Sequence, residues 1–217
     1  ARWNGTIWRP LGSGMNGTVR SLAVYKGELI AGGDFTTTGG VSASYIARWD
    51  GTTWRPLGSG MDRPAYALTV YDGDLIAGGD FWTAGGRSAL SIARWNGSSW
   101  RALSSGIDHR VRALGVYNGD LIAGGQFATA GGVSANSIAR WDGAKWWPLG
   151  TGFSNAPLRV VAGVGALAAY NGQLFAGGSF RLAGGVEAWG IARWDGANWQ
   201  SLGSGEESFV RALAVYN

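Results

Sequence analysis

Few residues in this chain have side chains suited to catalysis. The sequence has one histidine, His109, and no cysteine, which excludes thiolate catalysis, disulfides and a multi-histidine metal site. The carboxylates recur at fixed spacing, as in Asp50, Asp142 and Asp195, each of which precedes a glycine. A catalytic pair needs two carboxylates in one cleft with different environments. This pattern instead favours turn residues, so we expect no catalytic residue, no cofactor and no metal.

Tryptophan, which can stack on sugars, is also periodic here. The motif Ala-Arg-Trp-(Asp/Asn)-Gly starts at Ala1, Ala47, Ala93, Ala139 and Ala192. A second tryptophan follows each motif, at Trp8, Trp54, Trp100, Trp146 and Trp199. Because this placement is regular, it favours packing between neighbouring sheets, with arginine lying over the tryptophan faces. The alternative, a sugar-stacking array, is the weaker interpretation.

Residues that break the repeat are better binding candidates, because binding residues concentrate on variable loops over a rigid scaffold. Trp82 and Trp189 lie outside the periodic positions and suit stacking on a sugar or anchoring a peptide. A local hydrophobic plug between loops is an equally good interpretation. The predicted ligand-binding set also contains Arg87, Glu187, Arg63, Asp108, His109 and Arg110. Glu187 with Asp108 is the one carboxylate pair that an enzyme would use.

Three arginines share a further repeat position, at the start of a predicted strand. These are Arg20, Arg112 and Arg211, while Tyr66 and Gly165 replace them in the other units. Guanidinium groups near one mouth would attract an anion such as a uronic acid, sulfate or carboxylate. Pairing with loop carboxylates such as Asp62 or Asp108 is the alternative. These three arginines complete the predicted binding set.

The elements that position these residues follow from a repeat of 46 residues, with one longer step of 53 before Ala192. In one unit, Ala65–Tyr71 ends at Asp72-Gly73, a type I′ hairpin signal. The segments 75–81, 92–95 and 100–103 follow as three more strands, separated by the loop 82–90 and the turn Asn96-Gly97. Gly78-Gly79 predicts a close approach by a backbone or a bulky ring. Each repeat is therefore a four-stranded antiparallel sheet.

Such a sheet cannot hide either face alone, but identical sheets arranged around an axis cover each other. We predict an all-β single domain, a β-propeller with blades at about 17–58, 64–104, 110–150 and 163–203. Residues 1–12 and 208–217 would form a partial fifth blade that lacks its second strand. A longer array, an imperfectly closed five-bladed ring, and self-association of two chains that complete each other all remain open. The seven-residue excess between Ser154 and Val164 lies in a loop that enters a first strand.

The blade pattern resembles the kelch repeat. The resemblance rests on a strand that ends in Gly-Gly, a loop, and two tryptophans five residues apart, as in Gly32-Gly33 with Trp49 and Trp54. The pattern covers essentially the whole chain. It is similar to kelch-like repeats of bacterial surface and secreted proteins, and more distantly to the central domain of galactose oxidase. The resemblance implies a propeller and a secreted or cell-surface location, and no single activity.

Charge and hydropathy limit the partners. The formal net charge is +4, but eight of the 18 basic residues occupy two repeat positions, so we expect no nucleic-acid binding. No apolar run approaches the length of a membrane span. We therefore expect a non-enzymatic, lectin-like propeller module that binds a glycan on a secreted or surface bacterial protein. The alternatives are a protein-interaction or structural scaffold, and the propeller part of a secreted carbohydrate-active enzyme.

Overall fold

The computed structural model describes residues 1–156, 161–205 and 209–216, and every regular element in these residues is a β-strand. The chain divides into two compact units, residues 1–103 (unit 1) and 104–217 (unit 2). Each unit contains two four-stranded antiparallel sheets. The prediction of an all-β chain of such sheets is confirmed. None of the described residues forms a helix with the length and apolar character to cross a bilayer.

Unit 1 contains a short hairpin, two sheets and two ribbons. The hairpin pairs β1 (Arg2–Trp3) with β2 (Trp8–Arg9). The first sheet joins β3 (Val19–Tyr25), β4 (Glu28–Gly33), β7 (Ile46–Trp49) and β8 (Trp54–Pro56), with the ribbon β5 (Thr37–Thr38) and β6 (Val41–Ser42) between its middle strands. The second joins β9 (Ala65–Tyr71), β10 (Asp74–Gly79), β13 (Ile92–Trp95) and β14 (Trp100–Ala102), with the ribbon β11 (Thr83–Ala84) and β12 (Arg87–Ser88).

Unit 2 repeats this plan with one addition. Its first sheet joins β15 (Val111–Tyr117), β16 (Asp120–Gly125), β19 (Ile138–Trp141) and β20 (Trp146–Pro148), with the ribbon β17 (Thr129–Ala130) and β18 (Val133–Ser134). Its second joins β22 (Gly163–Tyr170), β23 (Gln173–Ser179), β26 (Ile191–Trp194) and β27 (Trp199–Ser201). Here β21 (Phe153–Ser154) adds a third strand to the ribbon β24 (Leu182–Ala183) and β25 (Val186–Glu187).

Two kinds of tight turn define each sheet. The first connects strands one and two, where Asp72 and Gly73 both have positive φ, as the predicted type I′ turn requires. The second connects strands three and four, where Gly51 has a φ of +100°. Asp50 is not in that backbone region, contrary to our expectation for this position. Its carboxylate instead accepts the backbone N–H groups of Thr52 and Thr53, both at 2.9 Å, which holds the turn closed.

The double glycine marks two close approaches, as the sequence predicts. A Cβ atom on Gly33 would lie 2.0 Å from the carbonyl oxygen of Thr18, which precedes the first strand of the same sheet. A Cβ atom on Gly32 would lie 3.2 Å from Ala65 in the first strand of the next sheet of unit 1. The second glycine therefore leaves room for the segment that enters the first strand of its own sheet, and the first glycine leaves room for the first strand of the neighbouring sheet.

The periodic tryptophans pack between consecutive sheets of each unit. Trp100 is buried, and its indole N–H donates to the carbonyl oxygen of Leu57 at 3.1 Å. Trp54 donates in the same way to Leu11, and Trp199 to Leu149. These bonds join each outer strand to the segment that leaves the preceding sheet or hairpin. In the four sheets the second tryptophan of the repeat thus builds the core in this part of each unit, whereas Trp8 of the hairpin is exposed.

The periodic arginines have a different partner from the one expected. Arg48 pairs with Glu28, Arg94 with Asp74, and Arg140 with Asp120 at 2.6 Å. Each acidic residue starts the second strand, and the arginine lies on the adjacent third strand, so the pair bridges two neighbours in one sheet. These three arginines therefore serve the sheet through ion pairs, and Arg140 in addition lies 5.6 Å from the centroid of the Trp147 ring, whereas we expected arginines over the periodic tryptophans.

Candidate functional site

Two classes of loop meet at one end of each sheet, here called the loop end. Met15, in the loop that enters β3, forms a β-bridge with Thr38 of the ribbon. Met61 pairs with Ala84 in the same way, Ile107 with Ala130, and Phe153 with Ala183. The loop before the first strand and the ribbon between the second and third strands therefore form one surface. The divergent residues predicted for these loops belong to this surface.

A side-chain oxygen fixes the two loops to each other in three of the repeats. Asp108 Oδ1 accepts the backbone N–H groups of Ala128 and Thr129, both at 3.1 Å. Asp62 and Asn16 occupy the equivalent positions and accept from the corresponding ribbon residues. From the sequence, Asp108 is predicted to be a divergent ligand residue. The structure gives its carboxylate a repeated loop-holding role, because these bonds occur in both units.

Unit 2 has a cleft at its loop end, here called the unit 2 cleft, with a volume of about 780 Å³. It is lined by residues 108–110, 126–128, 136–137, 153–156 and 161–162. This volume falls within the range of small-molecule sites. Two departures from the repeat meet here: the turn that contains His109, and the loop that carries the seven-residue excess. Residues 157–160 of that loop lie outside the described residues.

The cleft lies where two repeat positions carry small residues. Ser137 stands at the repeat position of Tyr45 and Ser91, and all three have positive φ, at +72°, +69° and +62°. In unit 1 the Tyr45 ring packs against the core cluster that contains Met61. Ser137 is buried, and its hydroxyl donates to the carbonyl oxygen of Ala162 at 3.0 Å. Ala162 in turn stands where the second sheet of unit 1 has Arg63. The cleft therefore has smaller side chains at these two positions than unit 1 has at Tyr45 and Arg63.

The walls offer hydrogen-bonding groups above an apolar floor. Phe127 and Phe153 are buried beneath the cleft. His109 and Asn136 are exposed at its rim, and the Asn136 amide nitrogen already donates to Thr151 at 3.0 Å. Its amide oxygen, like the imidazole of His109, is a group that a hydroxylated ligand can engage. Gln126 accepts a bond from Arg112 at 3.1 Å and retains its donor amide nitrogen.

The predicted residues in unit 1 form a second feature at a loop end. The guanidinium carbon of Arg63 lies 3.8 Å from the centroid of the Trp82 ring, a cation–π contact. Trp82 is 56% exposed despite this contact, so the stack projects into solvent. Arg87 is also exposed, on β12 of the same ribbon. One face of the Trp82 indole is already covered, which leaves the other face and the edge for a partner.

In unit 2 the other off-repeat tryptophan has its own cluster. Arg181 forms an ion pair with Glu187, and its guanidinium carbon lies 5.1 Å from the centroid of the Trp189 ring. Trp189 is 38% exposed, and its backbone N–H donates to the Arg181 carbonyl oxygen at 3.3 Å. Neither Glu187 nor Trp189 lines the unit 2 cleft. The carboxylate pair of Glu187 and Asp108 is therefore not brought together there.

The three arginines of the anion hypothesis have different environments. Arg20 forms a bidentate ion pair with Asp34, with a shortest N–O distance of 2.6 Å, and this hydrogen bonding raises the pKa of the Arg20 guanidinium. Arg112 donates to Gln126, which occupies the repeat position of Asp34. Arg211 is exposed and lies 5.3 Å from the centroid of the Phe209 ring. Arg20 is therefore paired with a carboxylate, as in the alternative to an anion site, although its partner is Asp34 and not Asp62 or Asp108.

The unit 2 cleft contains residues that sequence reasoning missed. Gln126, Asn136, Ser137 and Phe153 line it, and none of them was predicted as a site residue. Nothing in the repeat marks Ser137, since Ser91 has the same residue at the equivalent position. Within the described residues, no group of three or more histidine, aspartate or glutamate side chains is placed to hold a metal ion.

One family model matches part of the chain. Residues 27–49, which include β4 to β7, match a model described as a "Domain of unknown function (DUF5122) beta-propeller". No curated protein matches the chain. The match thus indicates a β-propeller repeat over a short segment and assigns it no role. The likeness to kelch repeats remains a prediction from the sequence.

Proposed function

We propose that the protein is a non-enzymatic, lectin-like binding module that holds a glycan in the unit 2 cleft. The observation that carries the proposal is the meeting of the Asp108–Arg110 turn and the enlarged loop before β22 in one cleft of ligand size. The loops before β3, β9 and β15 lack the seven-residue excess of the loop before β22. Variable loops on a scaffold of repeated sheets are typical of a binding module.

The chemistry of the lining supports a sugar as the ligand. Sugars present hydroxyl groups together with apolar C–H faces, so they need hydrogen-bonding side chains beside an apolar surface. His109, Asn136 and Gln126 supply the first, and the Phe127 and Ala128 region supplies the second. Arg110 also lines the cleft, which favours a sugar that carries an acidic group.

Binding without catalysis is favoured by the carboxylates that line the cleft. Asp108 is the one acidic residue among the described lining residues, and two backbone N–H groups occupy its Oδ1 atom. Glycoside hydrolysis in most families requires two carboxyl groups that flank the scissile bond. The alternative of a carbohydrate-active enzyme therefore has less support from this cleft than the lectin-like role.

A glycan array tests the proposal with a pair of matched variants. Ala128→Trp would fill the cleft, and Trp82 demonstrates that a tryptophan fits at this repeat position. Thr36→Trp places the same residue at the equivalent position in unit 1, away from the cleft. We expect glycan signal for the wild type and Thr36→Trp, and a loss of at least about tenfold for Ala128→Trp. No glycan signal for the wild type, or equal signal for all three proteins, would reject the proposal.

A protein-interaction role has one specific observation in its favour. The exposed stack of Arg63 on Trp82 combines the two residue types enriched in binding hot spots. If this stack binds a partner, Trp82→Ala abolishes capture of that partner from envelope material, while Ala128→Trp leaves it intact. The reverse pattern would assign the interaction to the unit 2 cleft.

Two further proposals concern the arrangement of the four sheets and the location of the protein. We propose that the sheets are blades of a kelch-like propeller with a partial fifth blade from the two termini. The similarity of the sheets supports this, as does the packing of consecutive first strands within each unit. The secreted or surface location in a bacterium rests on the kelch resemblance, and fractionation of cells that express the native gene tests it.

A further inference from the structure

One wall of the unit 2 cleft differs from the repeat in its charge. Gln126 follows the double glycine of β16, where both sheets of unit 1 carry an aspartate, Asp34 and Asp80. The backbone N–H groups of all three residues donate to the carbonyl oxygen of the residue just before the first strand of their sheet, at 2.8 to 3.0 Å. The backbone is therefore the same at the three positions, and the cleft wall has an amide where unit 1 has a carboxylate.

Arg110 adds a cation beside this position. It lines the cleft and stands where the two sheets of unit 1 have Thr18 and Pro64. Its carbonyl oxygen accepts the backbone N–H of Gln126 at 2.9 Å, so the two residues are neighbours in the wall. A guanidinium group has five N–H donors, so Arg110 can contact a protein group and still bind a ligand oxygen. Both departures from unit 1 thus change the charge of the wall in the positive direction.

The side chain of Gln126 is held in a defined position. Its Oε1 atom accepts the Nε–H of Arg112 at 3.1 Å. Its Cγ atom lies against Gly163 at the start of β22, 2.8 Å from where a Cβ atom of that glycine would be. Its Nε2 atom has no hydrogen-bond partner among the residues that the structure describes. Arg110 and Gln126 together therefore offer N–H donors to a ligand in the cleft.

We infer that the unit 2 cleft selects a glycan that carries a carboxylate or sulfate group, and that Gln126 sets this selectivity. The inference rests on the proposed glycan-binding function of the same cleft. Ionised carboxylate and sulfate groups accept hydrogen bonds and donate none, so they match a wall of N–H donors. An aspartate at the position of Gln126, as in unit 1, would instead place like charges against each other.

The repeat indicates that an aspartate can replace Gln126 without loss of the fold. In unit 1, Arg20 donates to Asp34 through both Nε and Nη2, and the two residues are 14 positions apart. Arg112 and Gln126 have the same separation and the same Nε contact. Arg112 can therefore pair with the carboxylate that Gln126→Asp introduces. We expect the thermal unfolding midpoint of this variant to lie within about 2 °C of the wild type.

Pairs of glycans that differ only in charge test the inference. The probes are uronic-acid oligosaccharides with their carboxyl-reduced forms, and sulfated oligosaccharides with their desulfated forms, which separate the two anionic groups. We expect the wild type to bind the charged member of at least one pair at least about tenfold more tightly. Glycan binding without this preference would overturn the inference and leave the proposed function standing. Absence of binding to every glycan would reject both.

Two matched substitutions assign the selectivity to Gln126. Gln126→Asp should reduce the preference for the charged over the neutral glycan at least about tenfold. Asn16→Asp makes the same change from amide to acid in unit 1, where Asp62 and Asp108 show that an aspartate fits the position. It should leave the preference unchanged, because Asn16 does not line the cleft. An unchanged preference in Gln126→Asp, or equal effects of the two substitutions, would overturn the role of Gln126.

Discussion

At the residue scale, aspartate and asparagine serve one purpose in the outer turns. Asn96 Oδ1 accepts the backbone N–H groups of Ser98 and Ser99, just as Asp142 accepts those of Ala144 and Lys145. Only the aspartates add an ionic contribution. The indole N–H of Trp147 and these backbone donors lower the pKa of Asp142 to about 2.

This shift predicts a pH dependence of stability. The pKa of Asp142 is lower in the folded chain than its unfolded value of about 3.9, so its contribution is present above about pH 4 and is lost as the pH falls towards 2. Backbone N–H groups at the equivalent turn positions lower the pKa of Asp50 and Asp195. The variant Asp50→Asn, Asp142→Asn, Asp195→Asn should therefore lose less stability than the wild type over this range. Urea unfolding at a series of pH values measures this, and identical slopes would contradict it.

The roles of Asp108 and Ser137 depend on contacts between residues that are distant in sequence. The strand and turn residues followed from the repeat, but the role of Asp108 did not, because its partners lie 20 and 21 residues further along the chain. The role of Ser137 depends on what surrounds it. Ser91 carries the same residue at the equivalent repeat position, and only the packed structure shows that Ser137 lines a cleft.

At the scale of the strand, the double glycine should tolerate no side chain. Gly125→Ala would place a Cβ atom 2.0 Å from the Arg110 carbonyl oxygen, so the backbone must move. We expect a loss of about 1–3 kcal/mol in unfolding free energy. Gly115→Ala in β15 is the control, since its nearest neighbour would be Leu167 Cβ at 3.6 Å. Thermal or urea unfolding of the two variants checks this, and equal stability would refute the close approach.

The periodic tryptophans should stabilise according to their burial. Trp100 is 2% exposed and Trp8, at the same repeat position, is 68% exposed. We expect Trp100→Ala to cost about 3–5 kcal/mol and Trp8→Ala to stay within about 0.5 kcal/mol. Urea unfolding measures both free energies. Similar losses for the two variants would show that burial between sheets does not determine how much tryptophan stabilises the fold at this repeat position.

The sequence predicted most elements but missed the ribbons. The predicted segments 92–95 and 100–103 agree with β13 and β14 to within one residue. The ribbons, such as β11 and β12, were interpreted as loops, because two-residue strands around Gly85-Gly86 have too few residues to show an alternation. The unit 2 cleft depends on these ribbons, so its location could be predicted only as a loop region.

At the scale of the whole molecule, positive charge is distributed along the chain, and part of it is paired with carboxylates. Ion pairs between the described residues include Arg20–Asp34, Arg48–Glu28, Arg55–Asp50 and Arg140–Asp120. Despite a net charge of +4, we expect no binding to a labelled DNA duplex in about 0.15 M salt. Fluorescence anisotropy measures this. A rise that weakens steeply with added salt would reveal a basic surface that the local pairing does not explain.

The repeat could be read from the chain alone, because five copies of one motif at nearly constant spacing determine the sheets. The repeat alone does not predict where the packing of sheets and loops leaves a cleft. The cleft forms where Ser137 meets the loop before β22, which contains Ala162 and the seven-residue excess, and these parts are about 25 residues apart in sequence. Their combined effect depends on three-dimensional packing.

The most direct test of the account is to fill the cleft with a side chain that one copy of the repeat already carries. Ser137→Tyr introduces the residue found at Tyr45, in place of the serine that Ser91 and Ser137 share, and the positive φ common to all three positions means that the backbone already suits it. Isothermal titration with a glycan selected on the array should give a Kd at least about tenfold weaker for this variant than for the wild type. An unchanged Kd in a variant of normal thermal stability would contradict the account, because the ligand would then lie outside the unit 2 cleft.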